Sequence, residues 1–506
     1  MKLKATSFLL LLAALALSFA QLDAPLPNSA LASETLPGNS LQGATSLAER
    51  IQRVENGLLG SVVIKGQTNG MNIAERMKYY SAPGVSVAVI NNGRIEWARG
   101  YGVVEAGGTQ PITTDTLFQA GSISKPVAAM AALRLVEQGK LDLDEDVNGK
   151  LKSWKVPEND FTKEKKVTLR GLLSHSAGLT VHGFPGYKAD VEVPTLVQVL
   201  NGEKPANTPA IRVDLVPGTK WRYSGGGYTI MQQLLIDVAG KPFPQLTHEL
   251  VLNPAGMKHS TYEQPLPKAV AASAATAHRN GAPVKGRYHT YPEMAAAGLW
   301  TTPSDLALLA IEIQQELAGR SSKVLSTKMA NQMVTGQIQD YGLGPSVQGQ
   351  GQSLRFSHGG VDEGFEAFWI AFAHTGQGAV VMVNANRGSG LAQEIVRSIA
   401  QEYGWSDRPP TKERTLAKVD PKIYEAYVGE YHVSGANVKI SSEAGRLFIV
   451  APPLGPNRVE LHPESETRFF ILEQDVTVTF AKDEQGLFKE IVIQPGNQTL
   501  KGTKIK

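Results

Sequence analysis

Cysteine is absent from this 506-residue chain. Without thiols the protein can form no disulfide, hold no zinc through cysteine and use no thiolate as a nucleophile. The 10 histidines are scattered, and none shows the His-Glu-x-x-His spacing of a helical zinc site. We therefore expect no metal and no cofactor, and a core stabilised by packing, for which the chain is long enough.

A strong excess of charge is also missing. The formal net charge is +3 and the charges of both signs are dispersed. The sequence therefore shows no basic cluster of the kind that binds nucleic acid. Beyond the N-terminal segment, no apolar run reaches the length of a membrane helix. These absences favour a protein that acts on a small-molecule, peptide or ester substrate, with no nucleic-acid partner and no stable membrane insertion.

Residues 1–20 have the composition of a signal peptide. Lys2 and Lys4 precede an apolar run over Phe8–Leu17, and small residues follow it. We therefore expect the protein to be exported, either to the periplasm or to the medium. Residues 21–45 are rich in Ser, Pro, Ala and Leu without clear periodicity, which predicts a linker.

Strand patterns lie at both ends of the region 46–405. Val85–Ile90 and Arg94–Gly100 are joined by Asn-Asn-Gly, which predicts a β-hairpin. Apolar runs return at Phe365–Ala373 and Ala379–Asn384. We predict an α+β fold in which both ends of this region form one antiparallel sheet, flanked by helices, with a helical insertion between them.

The sequence predicts three helices: one before the first strand pair and two between the two strand pairs. The segment Ser46–Leu58 is helical in pattern, and the apolar segment that begins at Ser124 ends at Gly139. Thr302 is a predicted N-cap, with Pro303 in the first turn of its helix.

The C-terminal region has a different composition and hydrophobic pattern. Residues 406–415 are polar and rich in proline, which predicts a linker. Residues 416–506 contain short alternating runs such as ANVKISS, RLFIVAP and VTVTFAKD. This spacing predicts a small all-β barrel or sandwich.

The segment TLFQAGSISK places Ser122 and Lys125 three residues apart. Because Pro126 is tolerated only in the first turn of a helix, a helix is expected to begin within a few residues of Ser122. Lys125 then shares a face with Ser122. The apolar run that follows predicts a buried helix and a lysine with a lowered pKa. Such a lysine can activate a serine nucleophile.

The same pair also fits an N-capping serine beside a solvated lysine. Ser122 and Lys125 form the only Ser-x-x-Lys in the chain, and they coincide with the entry to its most apolar mature helix. This coincidence of motif and context favours the catalytic interpretation.

Five segments occur in the order FQAGSISKP, VTLRGLLSHSAGL, WRYSGGGYTI, AAAGLWTTPSDLA and FSHGGVDEGFEAF. Together they resemble the β-lactamase-related serine hydrolases, which include class C β-lactamases, D-Ala-D-Ala carboxypeptidases, D-aminopeptidases and family VIII-type esterases. The resemblance spans Val54 to Tyr403, and it implies a β-lactamase/transpeptidase-like fold. The segments YVGEYHVSG, GRLFIVAP and ESETRFFILEQDVTVTFAKD resemble the lipocalin-like β domain that some of these hydrolases carry, which implies such a domain over 416–506.

The resemblance assigns roles to the first two motifs. It makes Ser122 the nucleophile and Lys125 its lysine partner, and it places Tyr223 in the Tyr-x-Asn motif. Tyr223 would share the proton with Lys125 during acylation and return it to the leaving group; alternatively, it is a buried aromatic with a satisfied hydroxyl. The motif residue Asn is Gly225 here, so the side-chain amide for an acylamido group is missing and we expect open space in its place.

The third motif is His-x-Gly in part of the family, and two stretches fit it. We prefer His358 with Gly360, since His374 falls in a turn between two apolar strands. Gly360 would let the substrate approach the backbone closely. The N–H of Ser122 would be the first oxyanion donor and the N–H of Val361 the second. His358 would orient a substrate carbonyl or carboxylate with a charge that depends on pH; alternatively, it is a turn histidine.

His175 and the loop before Gly225 also lie near these motifs in the sequence. His175 is assigned a structural role, at a helix end that Gly178 would stop. The loop Val181–Tyr187 is given at most a weak binding role. The resemblance then implies an acyl-enzyme hydrolase of esters or D-amino-acid peptides; the alternatives are a β-lactamase and a slowly deacylating penicillin-binding module of the receptor type.

Overall fold

The computed structural model describes residues 46–407, 411–454 and 458–506. The predicted signal peptide and the first linker lie outside these residues. Residues 72–407 form one compact unit, and the described residues on either side of it form a second. In the described part of the chain, no helix has both the length and the apolar character needed to cross a membrane.

One six-stranded antiparallel sheet organises the larger unit. Its strands, in chain order, are β1 (Gly84–Asn91), β2 (Arg94–Gly102), β3 (Ser346–Gln348), β4 (Arg355–Asp362), β5 (Phe365–Phe372) and β6 (Gly378–Val383). Their spatial order is β2-β1-β6-β5-β4-β3. The N-terminal hairpin therefore joins the C-terminal strands through the β1–β6 pairing, which confirms the predicted sheet and its helical insertion.

Burial explains the central position of β1 and β6. Every residue of β6 and all but the last residue of β1 are buried. Strands covered on both faces read as continuous apolar runs, and the sequence of β1 has this form. Two helices of the same length pack on the sheet, Pro303–Leu317 and Gly388–Glu402. The predicted cap is confirmed, because the Thr302 hydroxyl accepts a hydrogen bond from the Asp305 amide at 3.1 Å.

Two further helices of the larger unit carry the candidate site. Helix α1 (Ser124–Glu137) follows a 3-10 turn at Gly121–Ile123, and every residue from Val127 to Leu133 is buried. Helix α2 spans Gly225–Ala239. The remaining short helices of this unit are Ile73–Tyr79, Leu169–Leu173, Leu196–Asn201, Phe243–Thr247, His248–Leu252 (a π-helical turn), Asn253–Ala255, Lys268–Ala271, Met294–Ala297 and Thr327–Met333.

The second unit contains a closed antiparallel barrel, as predicted. Its eight strands are β7 (Gly429–Val433), β8 (Ala436–Glu443), β9 (Arg446–Val450), β10 (Val459–Pro463), β11 (Arg468–Phe470), β12 (Val476–Lys482), β13 (Phe488–Pro495) and β14 (Leu500–Lys504). Aromatic side chains pack in its core: Tyr427 stacks on Phe480 with ring centroids 4.2 Å apart, and Phe469 contacts both. An eight-stranded barrel is narrow enough for side chains to fill its interior, and the buried residues of this barrel form one hydrophobic cluster.

Residues 46–71 group with this barrel, whereas the sequence predicts that they belong to the region 46–405. The predicted helix is observed at Leu47–Asn56, and Ser46 forms a capping box with Glu49. The strand Val62–Ile64 pairs in parallel with Lys412–Arg414, so part of the predicted 406–415 linker is a strand. Backbone pairing over a large sequence separation produces this arrangement, and local composition does not reveal it.

Candidate active site

Ser122 lies in the 3-10 turn that leads into α1. The first N–H groups of such a turn have no helical partner, so the Ser122 amide can serve as a donor. The turn is held by Ser124, whose hydroxyl donates to the Gly121 carbonyl at 2.6 Å and accepts from the Leu299 amide at 3.0 Å. Gly121 has φ +50°, which a residue with a side chain rarely adopts.

Lys125 is buried directly behind this serine. Only 2% of its surface is exposed, and its Nζ donates to Ser122 Oγ at 2.9 Å and to the Ala296 carbonyl at 2.8 Å. Burial lowers the pKa of Lys125 to about 7, because the ammonium loses its hydration. Lys125 therefore exchanges its proton near neutral pH while it touches the serine hydroxyl.

The carbonyl that holds Lys125 is itself fixed by α2. Gln232 donates to the Pro292 carbonyl at 3.1 Å and accepts from the Ala295 amide at 2.9 Å. This double contact anchors the short helix Met294–Ala297 on α2 and so positions the Ala296 carbonyl.

Tyr223 lies beside Lys125. Its ring centroid is 4.9 Å from Lys125 Nζ. Burial raises the pKa of Tyr223, and a hydrogen bond with the Ser122 side chain opposes this rise. Near neutral pH the Tyr223 hydroxyl is therefore a phenol, which can donate a proton and is a weaker base than Lys125.

The N-terminus of α2 fixes the tyrosine. Ser224 is the N-cap, and its hydroxyl accepts from the Gly227 amide at 3.1 Å. The Ser224 amide donates to His175 Nδ1 at 3.1 Å. The His175 ring packs against Tyr223 with centroids 4.2 Å apart. His175 is thus a buried structural partner of the site, as expected, although its helix ends at Leu173 rather than at Gly178.

His358 and His175 are bridged by Tyr341. Since His175 Nδ1 accepts from an amide, its Nε2 must carry the proton and donate to the Tyr341 hydroxyl at 3.2 Å. Tyr341 then donates to His358 Nε2 at 2.9 Å, and His358 Nδ1 donates to the Gly359 carbonyl at 2.6 Å. Each donor in this series of hydrogen bonds meets an acceptor only if both imidazoles are neutral.

His358 differs from the expectation in one respect. It is 5% exposed, and burial lowers its pKa to about 3. Both ring nitrogens are already engaged within the protein. His358 is therefore uncharged near neutral pH, in contrast to the pH-dependent charge that the sequence predicts.

Gly360 and Val361 bring β4 against the nucleophile turn. A Cβ added at Gly360 would overlap the Ala120 carbonyl oxygen, and one added at Gly121 would overlap the Val361 amide nitrogen. Two backbone segments meet here at a distance that only glycine allows. The Val361 amide consequently lies beside the residue before Ser122, and the Val361 side chain is 60% exposed.

The space expected beside Gly225 is occupied. A Cβ at this position would stand 2.9 Å from the Phe184 ring and 3.1 Å from the His182 carbonyl oxygen. The expectation that Gly225 opens room is therefore wrong, because the loop before α2 fills the room with an aromatic ring. Gly225 and Gly226 donate their amides to the His182 and Val181 carbonyls at 2.9 and 3.0 Å, so this wall of the site offers no free backbone donor from either residue.

Tyr341 reaches the site from a segment in which the sequence shows no motif. Ala296 lies in the segment AAAGLWTTPSDLA and Phe184 in the loop Val181–Tyr187, but nothing in these segments indicates the contacts that the two residues make in the site. His374 lies in the turn between β5 and β6, as the sequence predicts.

The sequence matches two known family models. A family model described as Beta-lactamase matches residues 71–403. The chain belongs to the β-lactamase family. A second model, for a domain of unknown function (DUF3471), matches residues 413–505, which include the barrel. Family membership makes a serine hydrolase the general class of this protein.

Relatives within the family differ in name and activity. Penicillin-binding protein 4* of Bacillus subtilis is 23% identical over 446 residues, which is 82% of this chain and 93% of that protein. Esterase EstB of Burkholderia gladioli is 28% identical over 35% of this chain and 46% of its own length. An octameric penicillin-binding protein homologue from Pyrococcus abyssi superposes with a TM-score of 0.57 at 21% identity, over 85% of this chain and 98% of that one. The structural likeness shows the β-lactamase-family fold.

Proposed function

We propose that this β-lactamase-family protein is an exported serine hydrolase that forms an acyl-enzyme on Ser122 and hydrolyses an ester or a D-amino-acid peptide. The observation that carries the proposal is the 2.9 Å contact between Ser122 Oγ and the Nζ of a buried lysine. The Lys125 pKa of about 7 supports a base that is available at neutral pH. The composition of residues 1–20 supports export.

Acylation follows from the positions of three side chains. Ser122 Oγ attacks the substrate carbonyl carbon, and its proton passes to the neutral amine of Lys125. The amides of Ser122 and Val361 stabilise the oxyanion. As the bond to the leaving group breaks, the Tyr223 phenol supplies the proton and recovers one from Lys125. Water then attacks the acyl-enzyme, releases the acid and returns the proton to Ser122.

The wall beside Tyr223 supports a substrate without an acylamido group. Gly225 has no side chain, its amide is already bonded to His182, and the Phe184 ring covers the position. A buried polar group without a hydrogen-bond partner costs about 1–3 kcal/mol. This wall therefore favours an apolar acyl chain over an amide, which places esters first and β-lactams with acylamido side chains second.

Truncation of Phe184 tests this account of selectivity. In Phe184→Ala the room beside Gly225 opens, so the ratio of kcat/KM for p-nitrophenyl octanoate to that for the acetate is expected to rise about tenfold or more. The measurement is steady-state hydrolysis of the two esters by the wild type and the variant. Leu487→Ala, which shortens an exposed side chain in the other unit, is the control. An unchanged ratio in Phe184→Ala would show that the ring does not limit the acyl chain.

Three substrates separate the proposal from its alternatives. Purified wild type and Ser122→Ala are incubated with a short-chain p-nitrophenyl ester, a D-amino-acid anilide and a chromogenic cephalosporin. We expect the wild type to turn over the ester or the anilide, and Ser122→Ala to turn over neither. Preferred turnover of the cephalosporin would indicate a β-lactamase. A stable adduct without turnover would indicate the slowly deacylating binding module.

A further inference from the structure

His175 holds the backbone on both sides of Tyr223. Its carbonyl accepts a hydrogen bond from the Arg222 amide at 2.8 Å, and its Nδ1 accepts one from the Ser224 amide at 3.1 Å. Its ring also packs on the Tyr223 ring, with centroids 4.2 Å apart. Three separate contacts therefore join this histidine to Tyr223 and its two neighbours, so the place of His175 sets the place of the Tyr223 phenol.

Two hydrogen bonds connect His175 to strand β4. His175 Nε2 donates to the Tyr341 hydroxyl at 3.2 Å, and that hydroxyl donates to His358 Nε2 at 2.9 Å. All three side chains are buried. The Tyr341 hydroxyl is thus an acceptor and a donor at once, and it joins the segment that holds Tyr223 to the strand that contains the proposed oxyanion donor Val361.

The β4 end of this connection is fixed without Tyr341. Strand β4 pairs with β3 on one side and with β5 on the other, and at Gly360 it packs against the nucleophile turn. The other end is a short segment. His175 follows the five-residue helix Leu169–Leu173, and its φ of +60° is uncommon for a residue with a side chain. The connection therefore holds the Tyr223 side of the site against a firmly paired strand.

The turn that contains Tyr341 is held in place by its neighbours. The Gln337 amide donates to the Tyr341 carbonyl at 2.8 Å, and Arg170, from the five-residue helix, donates to the Gln337 side chain at 2.7 Å. A Cβ added at Gly344 would stand 3.1 Å from the Pro126 Cα, so this segment packs on the first turn of α1. These contacts fix the backbone from which the Tyr341 hydroxyl reaches the two histidines.

We propose that Tyr341 is a positioning residue for the reaction proposed above. Its hydroxyl joins His175 to His358 and thereby fixes the place of the Tyr223 phenol. A phenol held in this way supplies a proton to the leaving group without first having to reorient. The inference rests on the proposed function for its catalytic consequence, and on the hydrogen bonds of Tyr341 for its geometry.

Tyr341→Phe removes one oxygen atom and keeps the ring. Both histidines then lose their shared partner, and the Tyr223 side of the site can shift against β4. Since a displacement of about 1 Å can cost about 100-fold in rate, we expect kcat for a turned-over ester to fall about tenfold or more. KM should change by less than about threefold, because a positioning defect leaves ground-state binding in place. Rates are expressed per site that a fluorophosphonate labels at Ser122, which excludes inactive protein.

A second background separates positioning from a general loss of structure. Tyr223→Phe has no phenol to position, so the addition of Tyr341→Phe should lower its remaining kcat by less than about twofold. A merely structural role would cost the same factor in both backgrounds, and that result would contradict the inference, as would an unchanged kcat in Tyr341→Phe. If the wild type neither hydrolyses an ester nor is labelled at Ser122, the proposed function fails instead.

The proton positions on the two histidines give a test that needs no substrate. In NMR spectra of protein with ¹⁵N-labelled histidine at pH 7, we expect His358 to be protonated on Nδ1 and His175 on Nε2. Each signal is assigned by its loss in His358→Gln or His175→Gln. Both signals should shift in Tyr341→Phe, and the wild-type spectrum tests the geometry even if that variant does not fold. An imidazolium at either position, or His358 protonated on Nε2, would contradict the inference.

Tyr80→Phe is the matched control. Tyr80 is 5% exposed and Tyr341 is 6% exposed, and both lie in the same compact unit. The Tyr80 hydroxyl also bridges two side chains, since it accepts from Arg76 and donates to Glu394. We expect this variant to keep the wild-type kcat and the two histidine signals. A loss of kcat equal to that of Tyr341→Phe would show that removal of any buried bridging hydroxyl has this effect, and would contradict the inference.

Discussion

Lys125→Met is expected to lower kcat/KM for a turned-over ester by about 1,000-fold at pH 8. Methionine keeps the length and apolar volume of the side chain but cannot take the Ser122 proton or bond to the Ala296 carbonyl. Steady-state hydrolysis measures the loss, and thermal unfolding checks that the variant is folded. Methionine avoids the free-energy cost of burying an amine, so we expect the variant to fold.

The matched control is Lys328→Met, which replaces an exposed lysine on a surface helix. Its kcat/KM should equal that of the wild type. A folded Lys125→Met enzyme that retained more than about a tenth of the activity would show that Lys125 is not the proton acceptor, and would transfer that role to Tyr223.

Gly360→Ala is the second change with a large expected effect. A methyl group at this position overlaps the Ala120 carbonyl oxygen, so β4 and the nucleophile turn must move apart. In the proposed mechanism, the Ser122 and Val361 amides then no longer converge on one oxyanion. Since a displacement of about 1 Å can cost about 100-fold in rate, we expect a loss of that size in kcat, measured by steady-state hydrolysis of the same ester.

Gly149→Ala provides the comparison for this variant. An added Cβ at Gly149 meets no atom within 4 Å, so activity and unfolding temperature should stay close to those of the wild type. If Gly360→Ala were folded and fully active, the close approach of β4 to the turn would have no part in the reaction.

Features with a local cause were predictable from the sequence. The hairpin at Asn91–Gly93, the Thr302 cap and the helix that begins after Ser122 each follow from turn or capping chemistry over a few residues. The contact of Ser122 with Lys125 is of the same kind, because a spacing of three residues on a helix fixes it. Short-range geometry was therefore sufficient to predict these elements and this contact.

Features that depend on long-range contacts were not predictable. Nothing local to Tyr341 indicates that it bridges two histidines, and Phe184 occupies the place beside Gly225 from a separate loop. The same limitation explains the neutral His358, whose charge state depends on burial and on Tyr341. Pairing between Val62–Ile64 and Lys412–Arg414 likewise joins segments about 350 residues apart.

The acyl-enzyme on Ser122 is the central claim, and the mass of the protein during turnover tests it most directly. Wild type and Ser122→Ala are mixed with a turned-over ester, quenched in acid within the first turnovers and digested for mass spectrometry. The account predicts that the wild-type peptide containing Ser122 gains the mass of the acyl group, and that the Ser122→Ala peptide gains none. An acyl group on another residue, or an equal gain in both proteins, would contradict it.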